Sequence, residues 1–182
     1  MIGIGGVSRS GKTDLSKFLS EKFQELGYTV VTLHQDEFVF HEKEIPKIKD
    51  RTDWEIPDSI NFSQYISAIK EAQQNGNEVV IVEGFLNFYK NEVTELFDKK
   101  IFLEISRHTF ERRRRNDTRW SREPDWYIDY IWETYEKYGN TILQSDSDFL
   151  KISGENTSSY PAVWDYVASD LEIKMNQLKQ ND

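Results

Sequence analysis

The residues Gly6-Val7-Ser8-Arg9-Ser10-Gly11-Lys12-Thr13 fit the pattern G-x-x-x-x-G-K-[ST], between an apolar run and an amphipathic stretch. Glycines in such a segment let the backbone curl until successive N–H groups face inward on an anion. A helix beginning near Lys12 adds the positive end of its dipole. Gly6, Ser8, Ser10 and Gly11 are therefore candidates to cradle nucleotide phosphates. Lys12 can reach the β- and γ-phosphates, and the Thr13 hydroxyl can ligate Mg²⁺. Asp14 adjoins this nucleotide site. A carboxylate there repels phosphate, so it either points to solvent or pairs with an arginine.

Transfer of a phosphoryl group to an alcohol also needs an acid to orient the hydroxyl and take its proton. Asp36 and Glu37 follow an apolar, β-branched run, Tyr28 to Leu33. Ligands of open α/β sheets sit outside the carboxyl ends of the strands, which makes Asp36 the candidate base. Glu37 reads equally as a surface or capping residue. Glu83 ends the run Val79-Val80-Ile81-Val82 and precedes Gly84. A carboxylate closing a buried parallel strand points to the same rim and suits Mg²⁺, directly or through water.

Arg112 to Arg115, followed by Arg119 and Arg122, form the one dense basic cluster in a chain of net charge −9. Overall acidity argues against a duplex-binding protein, and a local cationic patch suits a small polyanion. The histidines His34, His41 and His108 lack metal-ligand spacing and read as structural or surface residues. The chain has no cysteine, which excludes disulfides and thiolate metal sites and fits a reducing, cytoplasmic setting. No apolar run approaches the roughly 20 residues of a membrane span, and no secretory signal is evident.

The elements that must position these groups alternate in kind. Strands are expected at Ile2 to Gly6, Tyr28 to Leu33, Glu78 to Glu83, Lys100 to Ile105 and Asp148 to Ile152. Helices are expected at Lys12 to Leu26, Ser59 to Gln74, Glu92 to Phe97, Thr109 to Asn116, Trp126 to Leu143 and Ala162 to Leu178. In the last, Val163, Tyr166, Val167, Leu171 and Met175 form a core-facing stripe. This alternation is the signature of an α/β domain with a parallel sheet. With 182 residues and no linker-like stretch, one domain is expected.

The phosphate loop, Gln35-Asp36-Glu37-Phe38 and Val82-Glu83-Gly84-Phe85-Leu86 together resemble the nicotinamide riboside kinases and their wider relatives, the uridine kinases. Further matches are Trp54-Glu55-Ile56-Pro57-Asp58-Ser59, Thr118-Arg119 at the end of the arginine-rich run, and Tyr127-Ile128-Asp129 before Trp132. The resemblance spans most of the chain. It implies a P-loop NTPase of three α/β/α layers around a parallel sheet, a single domain over 1–182, and a helical arginine-rich lid at about 112–125.

By that resemblance Asp36 is the catalytic base and Glu83 assists Mg²⁺. Trp54 and Glu55 stack on the base and bind the ribose hydroxyls, and the lid closes over the phosphates. Two departures stand out. Glu55 replaces a common aspartate, and the lid is a few residues short between Arg119 and Tyr127. Nicotinamide riboside carries a cationic ring, which aromatic faces stabilise by roughly 0.5–2 kcal/mol. Trp54 and Trp120 are candidates to sandwich it, although Trp54 reads equally as a packing residue, and Glu55 and Asp125 add negative charge. Arg114, Arg115 and Arg119 can neutralise the transferred phosphoryl, with Arg115 also near the acceptor. The helical repeat prevents Arg112 to Arg115 from all facing one site, so at least one is a surface residue or pairs with a carboxylate such as Glu111.

The expected activity is ATP- and Mg²⁺-dependent phosphorylation of a nucleoside ribose 5′-hydroxyl, with nicotinamide riboside as the favoured acceptor. A uridine/cytidine kinase or a kinase of another small metabolite is the alternative. A nucleotide-binding regulatory module without kinase chemistry is the second alternative. The expected partner is a small-molecule nucleoside, with neither nucleic acid nor membrane. Oligomeric state and ATP-versus-GTP preference stay open.

Overall fold

The computed structural model describes residues 1–118, 123–139 and 148–179, with side chains up to residue 169 in the last helix. Five parallel strands form the central sheet: β1 (Ile2–Gly6), β2 (Val30–His34), β5 (Val79–Gly84), β6 (Lys99–Glu104) and β7 (Phe149–Ser153). Their spatial order is β2-β5-β1-β6-β7. Strand β1 is therefore central, in register with Ile81 to Gly84 on one side and Lys99 to Leu103 on the other. Two short strands, β3 (Lys47–Ile48) and β4 (Arg51–Thr52), pair antiparallel as a separate hairpin.

Strand periodicity explains the three layers. In β5, Val80 and Val82 face one core with Tyr65, Ile69 and Phe102, whereas Val79 and Ile81 face the other with Leu15, Leu19 and Phe23. Helix α2 (Phe62–Gln74) covers the first face. Helices α1 (Lys12–Glu25) and α6 (Tyr160–Lys179) cover the second, α6 contributing Val163 and Val167. Leu171 and Met175, expected on the same stripe, lie outside the described side chains. The α/β/α architecture expected from the alternating pattern is the one observed.

A third apolar cluster joins α4 (Arg107–Arg115) and α5 (Asp125–Thr134) to the phosphate loop. Phe110, Tyr127, Ile128, Ile131 and Trp132 surround Val7, which is 1% exposed. Burying Val7 fixes the loop against these two helices. Between β5 and β6 lies α3 (Asn91–Thr94), a single turn. The expected helix from Trp126 to Leu143 is α-helical only to Thr134 and continues as a wider π turn over Tyr135–Gly139. Residues 140–143 of that expectation lie outside the described residues. No helix among the described residues is long and apolar enough to cross a membrane.

Candidate active site

The phosphate loop leaves β1 and enters α1 through Gly11, whose φ of 99° only glycine adopts without strain. Within the loop the Ser10 N–H donates to Val7 O across 3.1 Å, and the Lys12 ammonium reaches back to the same carbonyl across 3.0 Å. Lys12 is 9% exposed. Burial pushes its ammonium below the ordinary lysine range, opposed by the charges of Glu83, Asp36 and Glu55. The charges of all three carboxylates thus act on the lysine although they come from three separate segments of chain. The buried hydroxyl of Ser10 has no hydrogen-bond partner. An orphaned donor in a curled, lysine-capped loop fits a phosphate oxygen.

Glu83 ends β5 beside the first turn of α1. Its Oε1 accepts from Thr13 Oγ1 across 2.8 Å and lies 2.8 Å from His34 Nδ1. His34, read from sequence as structural or surface, lies at the end of β2 in contact with this carboxylate. The in-register pair His34 and Glu83 across the β2–β5 ladder brings them together, a relationship single-sequence spacing cannot carry. Among the described residues no group of three His, Cys, Asp or Glu side chains converges on a metal position. That donor set fits Mg²⁺, which keeps several waters and takes phosphate oxygens instead of a full protein cage.

Asp36 lies in a single helical turn, Gln35–Phe38, that follows β2 directly. Gln35 anchors this turn from below. It is fully buried, and its Oε1 accepts from the Leu86 N–H across 2.9 Å, tying the Asp36 turn to the segment after β5. Tyr65 packs beneath it, its ring 5.2 Å from that of Phe38. The Tyr65 hydroxyl donates to Asn87 Oδ1 across 2.6 Å. Asn87 in turn donates to Ile4 O and Val82 O, bridging β1 and β5. Burial holds the Tyr65 phenol well above its ordinary range, and the charges of Glu83 and Asp36 add to that. Neither Tyr65 nor Asn87 is singled out by the sequence. Glu37 is exposed.

The β3–β4 hairpin delivers Asp53, Trp54 and Glu55. Asp53 is buried and accepts from the Glu55 N–H and from the Tyr130 hydroxyl of α5. This ties the Trp54-Glu55 segment to the base of the lid. Trp54 is 36% exposed, so it is available to stack on a ligand and is not a core residue. Burial raises the Glu55 carboxyl to about 7, helped by Asp36, Glu123 and Asp53 and opposed by Arg114.

The arginines divide as helical geometry requires. Arg113 donates to Arg9 O of the phosphate loop across 2.9 Å and to Glu155 O across 2.7 Å. Arg114 donates to Ser8 Oγ across 3.1 Å and forms a bidentate pair with Glu123 at 2.6 and 2.7 Å. Arg9 pairs with Asp117 at 3.3 Å. Arg115 is different: it is exposed and held by Glu111 and Asp125 on the outer face of α4. The expectation that Arg115 and Asp125 share the transfer site is thereby corrected. Their side chains answer each other, because α4 turns Arg114 and not its neighbour toward the loop. Asp14 is exposed and its charge acts on Tyr160 of α6. Arg119 and Trp120 lie outside the described residues.

No protein-family model matches the chain. Among curated proteins it is 25% identical over 194 residues to nicotinamide riboside kinase 2 of Mus musculus, covering 96% of each chain. It is 29% identical over 172 residues to nicotinamide riboside kinase 1 of Homo sapiens, covering 85% of this chain and 83% of that protein. Among solved structures, shikimate kinase from Bacteroides thetaiotaomicron superposes with a TM-score of 0.60 at 19% identity, over 94% of this chain and 97% of that one. That likeness speaks to the fold alone. Near-full-length sequence relatives and the loop–carboxylate rim agree in making the chain similar to the nicotinamide riboside kinases, and its fold is that of a P-loop kinase.

Proposed function

We propose that this protein transfers the γ-phosphate of ATP to the ribose 5′-hydroxyl of a nucleoside, with nicotinamide riboside as acceptor. The observation that carries the reading is the phosphate loop, where buried Lys12 and the unpartnered Ser10 hydroxyl lie beside the Thr13–Glu83 bond and the charge of Asp36 reaches the lysine. A phosphate-binding cation and an acceptor-side acid within one electrostatic neighbourhood is what phosphoryl transfer to an alcohol requires. The relatives named nicotinamide riboside kinase support the acceptor. So does the site's charge, since Glu55, Asp36, Asp53 and Glu123 favour a positively charged ring.

In this reading the loop amides, Ser10 and Lys12 hold the β- and γ-phosphates, and Arg114 reaches the loop beside Ser8. Thr13 and Glu83 would hold Mg²⁺, which would neutralise negative charge on the phosphates. Asp36 accepts the proton of the 5′-hydroxyl as its oxygen attacks the γ-phosphorus and ADP departs. Glu55 and Trp54 seat the nucleoside. The test is a panel of acceptors with purified protein, ATP and Mg²⁺. Efficient phosphorylation of nicotinamide riboside is the expected result. Turnover of uridine and cytidine without it moves the chain to the pyrimidine kinases, and nucleotide hydrolysis with no alcohol phosphorylated makes it a regulatory module.

A further inference from the structure

Arg114 stands between two carboxylates that belong to different halves of the site. Its guanidinium is committed to Glu123 through two bonds and to Ser8 of the phosphate loop through a third. Both partners of the ion pair are 11% exposed. Burial works most strongly against the arginine's charge, and the Glu123 bond together with the charges of Glu55, Glu123 and Tyr127 outweighs it. Glu55 is thus within the arginine's field, while the guanidinium fork is filled by the Glu123 carboxylate.

We propose that Glu123 is a selectivity-determining positioning residue: by holding Arg114 against the phosphate loop, it keeps the guanidinium from pairing directly with Glu55 and leaves the Glu55 carboxylate to a positively charged acceptor. This rests on the proposed nucleoside-kinase reading. The groups facing Glu55 are Arg114 from α4, Asp36 from the turn after β2, Glu123 from the segment before α5 and Asp53 from its own loop. Lys12 and Tyr127 also respond to its charge. Arg114 is the described cation whose charge acts on both Glu123 and Glu55. With Glu123 in place the acceptor side keeps an excess of negative charge. Without it, the guanidinium's next partner is Glu55, and the attraction for a cationic ring is cancelled where it matters. Glu123 thereby makes discrimination between cationic and neutral rings a property of the lid base and not of the pocket wall alone.

The test compares two acceptors of nearly the same shape, nicotinamide riboside and its neutral dihydro form, with ATP and Mg²⁺. In Glu123→Gln, the ratio of kcat/KM for the cationic over the neutral acceptor falls by about tenfold, through KM of the cationic one. The acid limb of kcat/KM for the cationic acceptor moves to lower pH, because Arg114 now stabilises ionised Glu55. An altered lid without this charge effect lowers both acceptors alike, leaves the ratio unchanged and overturns the proposal. If Glu123→Gln does not fold, Glu123→Asp is read the same way: it breaks the bidentate geometry, and an unchanged ratio there overturns the proposal equally. A parent protein that phosphorylates neither acceptor refutes the proposed function and this inference with it. A parent that turns over both, with the ratio fixed in the variants, refutes this inference alone.

Discussion

Thr13 Oγ1 donates to Glu83 Oε1 across 2.8 Å, joining the first turn of α1 to the end of β5 over 70 residues of sequence. The same oxygen meets His34 Nδ1. A carboxylate oxygen shared by two polar neighbours is fixed in direction, and fixing a metal-side ligand is what outer partners do. Glu83→Gln keeps the shape but removes the charge. Its Mg²⁺ requirement for half-maximal rate is expected to rise by about 10- to 100-fold. Titration of nucleotide turnover against Mg²⁺ checks this, and an unshifted midpoint removes Glu83 from the metal site.

Lys12 and Asp36 separate the donor and acceptor sides. Asp36→Ala is expected to lower kcat by about 10²- to 10⁴-fold with ATP affinity held, because the acid acts on the acceptor hydroxyl. Lys12→Ala is expected to weaken nucleotide binding and turnover together, since its ammonium lies in the loop itself. Nucleotide titration by fluorescence alongside single-turnover assays distinguishes them. An Asp36→Ala protein that still transfers phosphate at the parent rate contradicts the assigned base.

The sheet and the phosphate loop were legible in sequence because their signals are local. A continuous Val79-Val80-Ile81-Val82 run and a strand–loop–helix motif each identify themselves within a dozen residues. The β3–β4 hairpin was not legible: its strands are two residues each and its turn runs through Lys49 with a φ of 54°, without an Asn-Gly signal. The arginine run announced anion chemistry but not which side chain turns inward. Arg115 and Arg114 differ by one position, and the helix sends one to Glu111 and Asp125 and the other to Ser8. His34 and the Tyr65–Asn87 pair depend on strand register and helix packing, which are non-local and leave no mark on residue spacing.

Gly154 carries a prediction about the donor side. A Cβ at this position meets Ser10 O of the phosphate loop at 2.3 Å, a backbone atom that cannot rotate aside. Arg113 clamps the same junction by bonding Arg9 O and Glu155 O. Gly154→Ala must displace the loop, so KM for ATP is expected to rise by about tenfold or more while KM for the nucleoside changes less. Arg113→Ala loses two charge-assisted bonds and is expected to cost about 2–4 kcal/mol of stability, read from urea midpoints. Equal effects of Gly154→Ala on both substrates argue that the loop does not move as a unit.

Glu55 links pH to both binding and stability. Its carboxyl is raised to about 7, first by burial and then by Asp36, Glu123 and Asp53. A folded-state value above the ordinary carboxylate range means the folded protein holds a proton there that the unfolded chain releases. Between about pH 4.5 and 7 the unfolded state therefore binds fewer protons, and this residue's contribution to stability falls as pH rises through that window. Above pH 7 the full cost is present. Because Glu55 is half-buried, solvent screening brings that cost to about 1–3 kcal/mol. Glu55→Gln is expected to be more stable than the parent at pH 8 and no more stable at pH 5, with the difference read from urea midpoints at the two values. Acceptor binding runs the opposite way, since only the ionised carboxylate attracts a cationic ring. The parent's kcat/KM for such an acceptor should fall as pH drops through about 7, whereas the Glu55→Gln profile is flat there. A stabilising substitution that removes the pH limb and raises KM is the signature of a charge kept for function at the expense of the fold. A variant as pH-dependent as the parent assigns that limb to another group.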